Sequence, residues 1–304
     1  MTDFTHLTFA TTSPRGLRQD ILPMRLYQKS KKLGVWDPQS IDFSQDILDW
    51  QRLNDNERDT LLYLTSLFQA GEECVTLDLL PLLMVIAQEG HIEEELYLTS
   101  FLWEEAKHTE FFRRFLDEVA HEHSDLTHYH TPSYRALFYE ELPRTMHALL
   151  TDRSLTAQAR AAATYNMIIE GVLAETGYHG YFFMLQRNHI MPGLQQGISY
   201  IKRDESRHLA YGVFLISRLV AADKTLWPAI EERMNELLVP ALSMVHEVFA
   251  GSDELKEMPF GLQMDDYLNF AMTQFSKRVQ RIQRAREQTL EQLYQTAESE
   301  VEVE

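Results

Sequence analysis

The sequence contains a single cysteine, Cys74, among its 304 residues. A disulfide bond within the chain is therefore excluded, and so is a metal site built from several thiolates. Apolar runs are short as well: the longest, residues 79–87, contains Pro81 and is much shorter than a membrane-spanning helix. The N-terminus lacks the basic start and apolar run of a secretory signal, so we expect a cytoplasmic protein without stable membrane insertion.

Positive charge is also scarce. The chain has 28 Lys and Arg residues against 46 Asp and Glu residues, which gives a formal net charge of −18. An acidic surface of this kind is repelled by phosphate backbones and anionic lipids, so we expect no nucleic-acid partner. Carboxylates gathered around bound cations would contribute to the same excess.

The chain has no segment with the alternating pattern of a strand, and no linker rich in Gly, Ser or Pro divides it. Apolar residues instead recur at three- and four-residue steps, which predicts an all-α protein. We predict one domain over residues 1–297 and an acidic, disordered tail over 298–304, with a polar loop at 121–131. The predicted helices span 16–33, 57–90, 92–119, 133–150, 154–188, 192–222, 225–251 and 262–294.

Two Glu-x-x-His motifs stand out, at Glu105 to His108 and at Glu205 to His208. Residues three apart share one face of a helix, so each pair can hold an ion between an oxygen and a nitrogen. Chance alone provides about one such motif in a chain with this many His and Glu residues. We interpret a third, ending at His121, as that accident, because it lies at a polar helix end.

The other two motifs lie inside apolar stripes that should face the core. Glu72 and Glu170 lie in similar stripes, 33 and 35 residues before Glu105 and Glu205. The alternative is that each Glu pairs with a nearby Lys or Arg. The repeated order, Glu helix and then Glu-x-x-His helix, instead predicts a ferritin-like four-helix bundle with two metals. A set rich in oxygen with two imidazoles favours iron or manganese over a closed zinc site.

Small residues accompany Glu170 on its stripe: Ala163, Ala174 and Gly177. They either let helices approach closely or leave a cavity for an apolar ligand beside the metals, and the sequence leaves both open. Val75 lies one turn after Glu72 and is expected near the metals. Tyr165 and Tyr178, on the Glu170 helix, are equally compatible with ordinary core packing.

Asp204 directly precedes Glu205 in the sequence, and its carboxylate can form a hydrogen bond with the outer nitrogen of a histidine ligand.

From Trp36 to the end of the 192–222 helix, the chain resembles the ribonucleotide reductase small subunit. Within that superfamily it is most similar to the reductase-like ligand-binding oxidases. The small subunit is matched by segments 36–38 (Trp-Asp-Pro), 41–46, 80–81 and 204–208. The oxidases are matched more specifically by segments 70–73, 75–78, 105–108, 165–168, 170–171 and 174–175.

The resemblance implies a manganese/iron centre, with manganese at Glu72, Glu105 and His108 and iron at the remaining three ligands, some carboxylates bridging. A di-iron pair is the alternative cofactor. It also implies oxygen activation, a long-chain fatty acid or similar lipid bound at the metals, a homodimer, and an ether cross-link between Val75 and Tyr165. The iron ligands in this reading are Glu170, Glu205 and His208.

Two alternatives remain beside the oxidase. The first is a reductase small subunit that makes a radical for a large catalytic partner. Its usual radical tyrosine is replaced here by Phe112, although Trp36 and Asp204 keep the start of the reductase radical path. The second is a non-catalytic iron-binding bundle, which would hold many more than two irons per chain.

Overall fold

The computed structural model describes residues 8–250 and 258–295. Within these ranges the chain forms helices and loops without a strand, which confirms the predicted all-α class. None of the helices in the described part is both long and apolar enough to cross a membrane. The α-helices are α1 (Leu22–Leu33), α2 (Ser44–Arg52), α3 (Asp55–Gln88), α4 (Ile92–Phe115), α5 (Pro132–Tyr134), α6 (Leu142–His147), α7 (Leu155–Ala162), α8 (Glu175–Tyr181), α9 (Pro192–Ala222), α10 (Trp227–Ala250), α11 (Met264–Ala285) and α12 (Leu290–Gln295).

Several helices run on into wider π-helical turns, which occur often at functional sites. One of these, Ala163–Ala174, joins α7 to α8, so residues 155–186 form one continuous helical rod, the Glu170 helix. Glu170 itself lies inside the π-helical part. The other π segments are Leu116–Ala120, Arg135–Glu141 and Phe182–Gln186.

The long helix α3 begins where the sequence predicts. The side chain of Asn54 accepts a hydrogen bond from the backbone N–H of Glu57, and the Glu57 carboxylate accepts one from the backbone N–H of Asn54. This capping box satisfies two donors that the first turn leaves unpaired. The helix continues through Pro81 as far as Gln88.

Other boundaries differ from the sequence-based prediction. The first helix begins at Leu22 and not near Gly16, which has a left-handed backbone conformation. The last predicted helix is interrupted after Ala285. The 121–131 loop contains a single 3-10 turn, Thr127–Tyr129. The predicted tail at 298–304 lies outside the described residues, and the single-domain count stays a prediction.

The sequence pattern does not predict helix α2, because the position of this short helix depends on tertiary contacts more than on its own residues. Asp46, which is fully buried in α2, accepts hydrogen bonds from the backbone N–H groups of Gly193 (2.9 Å) and Leu194 (2.7 Å). These donors are the free N–H groups of the first turn of α9. Asp46 therefore fixes the start of a helix that lies almost 150 residues later in the sequence.

Four long helices surround the buried acidic residues. Helix α3 packs along α4, and α9 contacts both α4 and the Glu170 helix. Helix α1 covers α4 and α9 on one side, whereas α10 and α11 cover the Glu170 helix on the other. This arrangement is the predicted ferritin-like bundle with additional helices around it.

Candidate metal centre

The six residues singled out by the sequence converge in the middle of the bundle. One set of ligand atoms comes from Glu72, Glu105, His108 and Glu205, and a second from Glu105, Glu170, Glu205 and His208; within each set the atoms lie within 4.8 Å of one another. Glu105 and Glu205 belong to both sets. Two adjacent metal positions with two shared carboxylates follow from this geometry.

Both imidazoles direct Nδ1 towards the carboxylates. Nδ1 of His108 lies 3.4 Å from Glu72 Oε2 and 3.4 Å from Glu205 Oε1. Nδ1 of His208 lies 3.0 Å from Glu105 Oε1 and 3.4 Å from Glu205 Oε2. Distances of this size leave room for an ion between the nitrogen and oxygen donors, since metal bonds to such atoms are about 2.0–2.2 Å long.

The site is fully enclosed by protein. The two histidines are 0% exposed and the four glutamates are at most 5% exposed. Among the described residues, buried atoms without a hydrogen-bond partner include both carboxylate oxygens of Glu105 and Nδ1 of both histidines, and also Glu170 Oε1 and Glu205 Oε2. Unpaired buried carboxylates are costly, so this donor set suits cations. Its residues therefore fit a dimetal cofactor.

The pKa values show how the cluster balances its charge with protons alone. Burial raises the pKa of Glu72 and Glu170 well above the ordinary value. Burial acts to lower the pKa of His108, but the surrounding carboxylates, Glu72 first among them, outweigh it and raise that pKa well above its usual range. Metal ions must displace these protons, so binding two cations releases them.

Each histidine is held from behind by an acidic residue on the other histidine's helix. Nε2 of His108, on α4, faces Asp204 Oδ2 on α9 at 3.4 Å. Nε2 of His208, on α9, faces Glu104 Oε2 on α4 at 2.9 Å. These contacts fix the rings so that Nδ1 points into the cluster, and they increase the basicity of the imidazole.

The buried guanidinium of Arg207 connects Glu104 and Asp204, the two acidic residues behind the histidines. Nη2 of Arg207 lies 2.6 Å from Glu104 Oε1 and 2.5 Å from Asp204 Oδ1. Lys107 Nζ lies 3.1 Å from Asp204 Oδ2, and the indole N–H of Trp36 donates to the same oxygen at 2.7 Å. The ligand motifs thus extend to two matching pentapeptides, Glu104-Glu-Ala-Lys-His108 and Asp204-Glu-Ser-Arg-His208.

Sequence reasoning found Asp204 but missed Glu104 and Arg207. The pentapeptide repeat was the available signal, because each motif has an acid before its ligand Glu and a base before its ligand His. The third Glu-x-x-His is outside the cluster. Its Glu118 pairs with Arg114 at 2.7 Å, and Nδ1 of His121 lies 3.1 Å from the Asp117 carbonyl.

Glu170 is positioned by an amide on its own helix. Asn166 Nδ2 donates to Glu170 Oε2 at 3.0 Å. A Cβ atom at Gly212 of α9 would lie 2.3 Å from the Cβ of Asn166, so glycine is needed there for the amide to fit. On the opposite side, the hydroxyl of Tyr178 lies 3.4 Å from both Glu72 Oε1 and Glu205 Oε1.

An apolar cavity adjoins the cluster. Glu72, Glu105, Glu170 and Glu205 form its polar end, and nearly all of its remaining walls are apolar. The small residues of this stripe do both things that the sequence left open. Ala174 and Gly177 line the cavity, and a Cβ at Gly177 would lie 2.4 Å from the ring of Phe68, so the two helices approach closely there. Other wall residues are Leu64, Leu67, Val75, Phe138, Ile169, Leu173, Met244, Val245, Val248 and Phe249.

Val75 and Tyr165 meet at the edge of the cluster. The Tyr165 hydroxyl donates to the backbone carbonyl of Val75 at 3.3 Å, and both residues are buried. Burial, followed by the Glu105 carboxylate, raises the pKa of Tyr165 well above its usual value, so the phenol is protonated. Phe112 stacks on Phe68 with ring centroids 5.3 Å apart.

Glu104→Gln tests the support of His208. The amide keeps the shape but loses the charge that orients and polarises the imidazole, so metal affinity should fall about 10–100-fold. Competition with a coloured chelator measures this change. Glu73→Gln is the matched control, because Glu73 is an exposed neighbour of Glu72 and its removal should leave affinity unchanged. Equal affinities in both variants would show that Glu104 does not support the centre.

Comparison with known proteins places this cluster in a family. The family described as "Ribonucleotide reductase, small chain" matches residues 24–283. Solved structures of R2-like ligand-binding oxidase variants with a reconstituted Mn/Fe cofactor are also similar. A valine-to-leucine variant has 35% identity and a TM-score of 0.85, and a valine-to-isoleucine variant has 35% identity and a TM-score of 0.87. Each match covers 91% of this chain and 98% of the other.

These findings confirm the family, the fold and the enzyme class predicted from the sequence, since the matching family and the similar structures are both named as oxidoreductases. The buried carboxylate and histidine cluster also agrees with the dimetal cofactor that the similar structures carry. The chain belongs to the ribonucleotide reductase small-chain family, in its R2-like ligand-binding oxidase branch.

Proposed function

We propose that the chain is an oxidase that activates dioxygen at one manganese and one iron ion. The observation that carries this proposal is the pair of overlapping ligand sets that share Glu105 and Glu205 beside an apolar cavity. A reduced metal pair supplies the binding and reduction of dioxygen. The surrounding protein excludes water and keeps the oxidising chemistry next to the cavity.

Manganese is assigned to Glu72, Glu105 and His108, and iron to Glu170, Glu205 and His208. Glu105 and Glu205 would be shared by the two ions, because each contributes to both sets. The two sets are close to equivalent in ligand type, so ligand chemistry alone does not select manganese over a second iron. The similar structures with Mn/Fe support the mixed pair over di-iron.

The cavity suits a long-chain fatty acid or a similar lipid. Its walls are apolar, and its one strongly polar end is the cluster, so an alkyl chain and a carboxylate would be placed at opposite ends. Four glutamates would repel that carboxylate in the absence of metal. We therefore expect the ligand to bind with its head group on the cations, and binding to depend on them.

An ether cross-link between Val75 and Tyr165 is the expected product of the first oxidation. The similar structures include variants of a glycine, a valine and a tyrosine whose spacings are 4 and 90 residues. Gly71, Val75 and Tyr165 have the same spacings here. The hydrogen bond from the Tyr165 hydroxyl to the Val75 carbonyl supports this proposal, because it holds the phenol against the same residue.

The cross-link is an oxidation that needs dioxygen as the acceptor. A bond forms between the Val75 Cβ and the Tyr165 oxygen while a C–H bond and an O–H bond break. The two electrons and two protons released, with two electrons from the reduced metals and two further protons from solvent, would reduce one dioxygen to two waters. Tyr165 remains a protonated phenol until this step, because its surroundings are buried and acidic.

One observation favours the reductase alternative. The chain of hydrogen bonds from Trp36 to Asp204 and on to His108 is intact. Phe112, however, occupies the place of the usual radical tyrosine, and its ring is packed against Phe68 and Tyr181. The cavity beside the cluster favours the oxidase, since a radical generator does not need a site for an apolar ligand.

The cross-link proposal is tested by peptide mass spectrometry. After aerobic loading with manganese and iron, a peptide joining Val75 to Tyr165 should appear with two hydrogens lost. Tyr165→Phe should bind both metals but give no linked peptide. Tyr181→Phe is the control, because that buried tyrosine bonds to Thr65 and should leave the link intact. Full metal content without a linked peptide in the unmodified protein would refute the proposal.

The lipid proposal is tested at Ala174, which lines the cavity. Ala174→Leu fills part of the space and should strongly reduce the fatty acid recovered by solvent extraction of the purified holoprotein. Ala174→Ser, of nearly the same volume, should retain it. Metal-free protein should bind less fatty acid than the holoprotein. Equal lipid content in the Leu and Ser variants would contradict this placement of the ligand.

A homodimer is proposed from the exposed apolar face of α3. Leu77, Leu80 and Met84 follow helical spacing and are 57%, 41% and 50% exposed, and Trp103 on the neighbouring α4 is 47% exposed. Exposed apolar patches of this kind often mark protein interfaces. A second copy of the chain is the expected occupant, because the same surface on both subunits forms a closed twofold interface.

Leu80→Lys would place a charge in that interface and should convert the dimer to a monomer in sedimentation velocity. Val239→Lys provides the control, since Val239 is 69% exposed on α10, away from α3 and α4 in the sequence. A dimer that persists in Leu80→Lys, or dissociates equally in both variants, would rule out the α3 face.

A further inference from the structure

A line of aromatic rings leads away from the iron-side histidine. His208 stacks on Phe101 with ring centroids 3.6 Å apart. Phe101 contacts Tyr97 at 6.1 Å, and Tyr97 contacts Tyr211 at 5.2 Å. Phe101, Tyr97 and Tyr211 are 0% exposed, so the line from the cluster to Tyr211 runs through dry protein.

The carboxylate of Glu94 is positioned to accept the phenol proton of Tyr211. Its hydroxyl donates to Glu94 Oε2 at 3.1 Å, and Glu94 is 2% exposed. Glu94 Oε1 lies 3.1 Å from Arg218 Nε and 3.7 Å from Nδ1 of His91, whose side chain is 33% exposed. The Arg218 guanidinium pairs with this carboxylate, and His91 connects the group towards solvent.

Tyr97 differs from Tyr211 in this respect. Its hydroxyl is buried and has no hydrogen-bond partner among the described residues. A phenol that loses an electron becomes a strong acid, so oxidation is favourable only where a base receives its proton. Tyr211 meets that condition and Tyr97 does not. Of the two tyrosines, Tyr211 alone has the proton acceptor that loss of an electron requires.

We propose that Tyr211 is a redox residue, which donates one electron through Tyr97 and Phe101 to the oxidised metal centre and its phenol proton to Glu94. The products are a neutral tyrosyl radical, a protonated Glu94 and a centre reduced by one electron. This inference rests on the proposed function, because the oxidant is the centre after its reaction with dioxygen. Oxidation of Tyr211 removes one oxidising equivalent from the metal centre when no substrate C–H bond is in reach.

The arrangement is separate from the Trp36 and Asp204 contacts, which belong to His108. It also differs from that of a tyrosine that only packs. The buried hydroxyl of Tyr134, for instance, donates to the backbone carbonyl of Leu67, which cannot hold a proton. If Tyr211 served only to provide a hydrogen bond to Glu94, the line of rings to His208 would not be required.

Freeze-quench electron paramagnetic resonance tests the proposal in full-length protein loaded with reduced manganese and iron. After mixing with dioxygen in the absence of added fatty acid, a radical signal should appear and should narrow when the tyrosines are ring-deuterated. Tyr211→Phe should lose this component. Glu94→Gln should lose it as well, although Tyr211 is still present, because the amide does not accept the proton. Tyr63→Phe, whose ring stacks on Tyr129, should keep it.

Metal content and the optical change on metal oxidation are recorded for every sample. Oxidation of the metals without a tyrosyl signal, or with one that survives in Tyr211→Phe or Glu94→Gln, overturns the inference and leaves the proposed function standing. Failure of the unmodified, fully loaded protein to oxidise its metals overturns both. A variant that does not bind two metals is replaced by the other, since either alone decides the role of Tyr211.

Discussion

Four carboxylates enclosed within a few ångströms of one another are the constraint on which this structure depends. Glu72, Glu105, Glu170 and Glu205 are almost completely buried, and several of their oxygens have no protein hydrogen-bond partner in the described part of the chain. Burying an ionised group without compensation costs several kcal/mol even after relaxation. Protons balance this charge in the metal-free protein, and the charge of two divalent ions would equal that of the four carboxylates.

The rest of the bundle holds these groups in place. Glu104 and Asp204 each reach from one helix to the histidine of the other, and Arg207 joins them, so α4 and α9 are locked in register by the same residues that orient the ligands. Gly212 leaves space for Asn166, which holds Glu170. The cavity then places an apolar space, with Val75 in its wall, against the cluster.

Much of this was available in the sequence because helical periodicity and metal ligation act locally. The two Glu-x-x-His motifs and the striped Glu72 and Glu170 predicted the bundle and all six residues that converge. Contacts between residues that are distant in the sequence were harder to predict. Helix α2 owes its place to Asp46 and the start of α9, and the role of Glu104 depends on a histidine 104 residues away. The π-helical turn around Glu170 likewise has no periodic signature in its own segment.

Anomalous X-ray scattering from crystals of the manganese- and iron-loaded protein, measured at the absorption edges of both metals, tests the central claim most directly. The account predicts two peaks, one between Glu72 and His108 and one between Glu170 and His208, with Glu105 and Glu205 between them. A fully loaded crystal with no peak in the cluster, and with the carboxylates neutralised by protons or by arginine and lysine side chains, would contradict it.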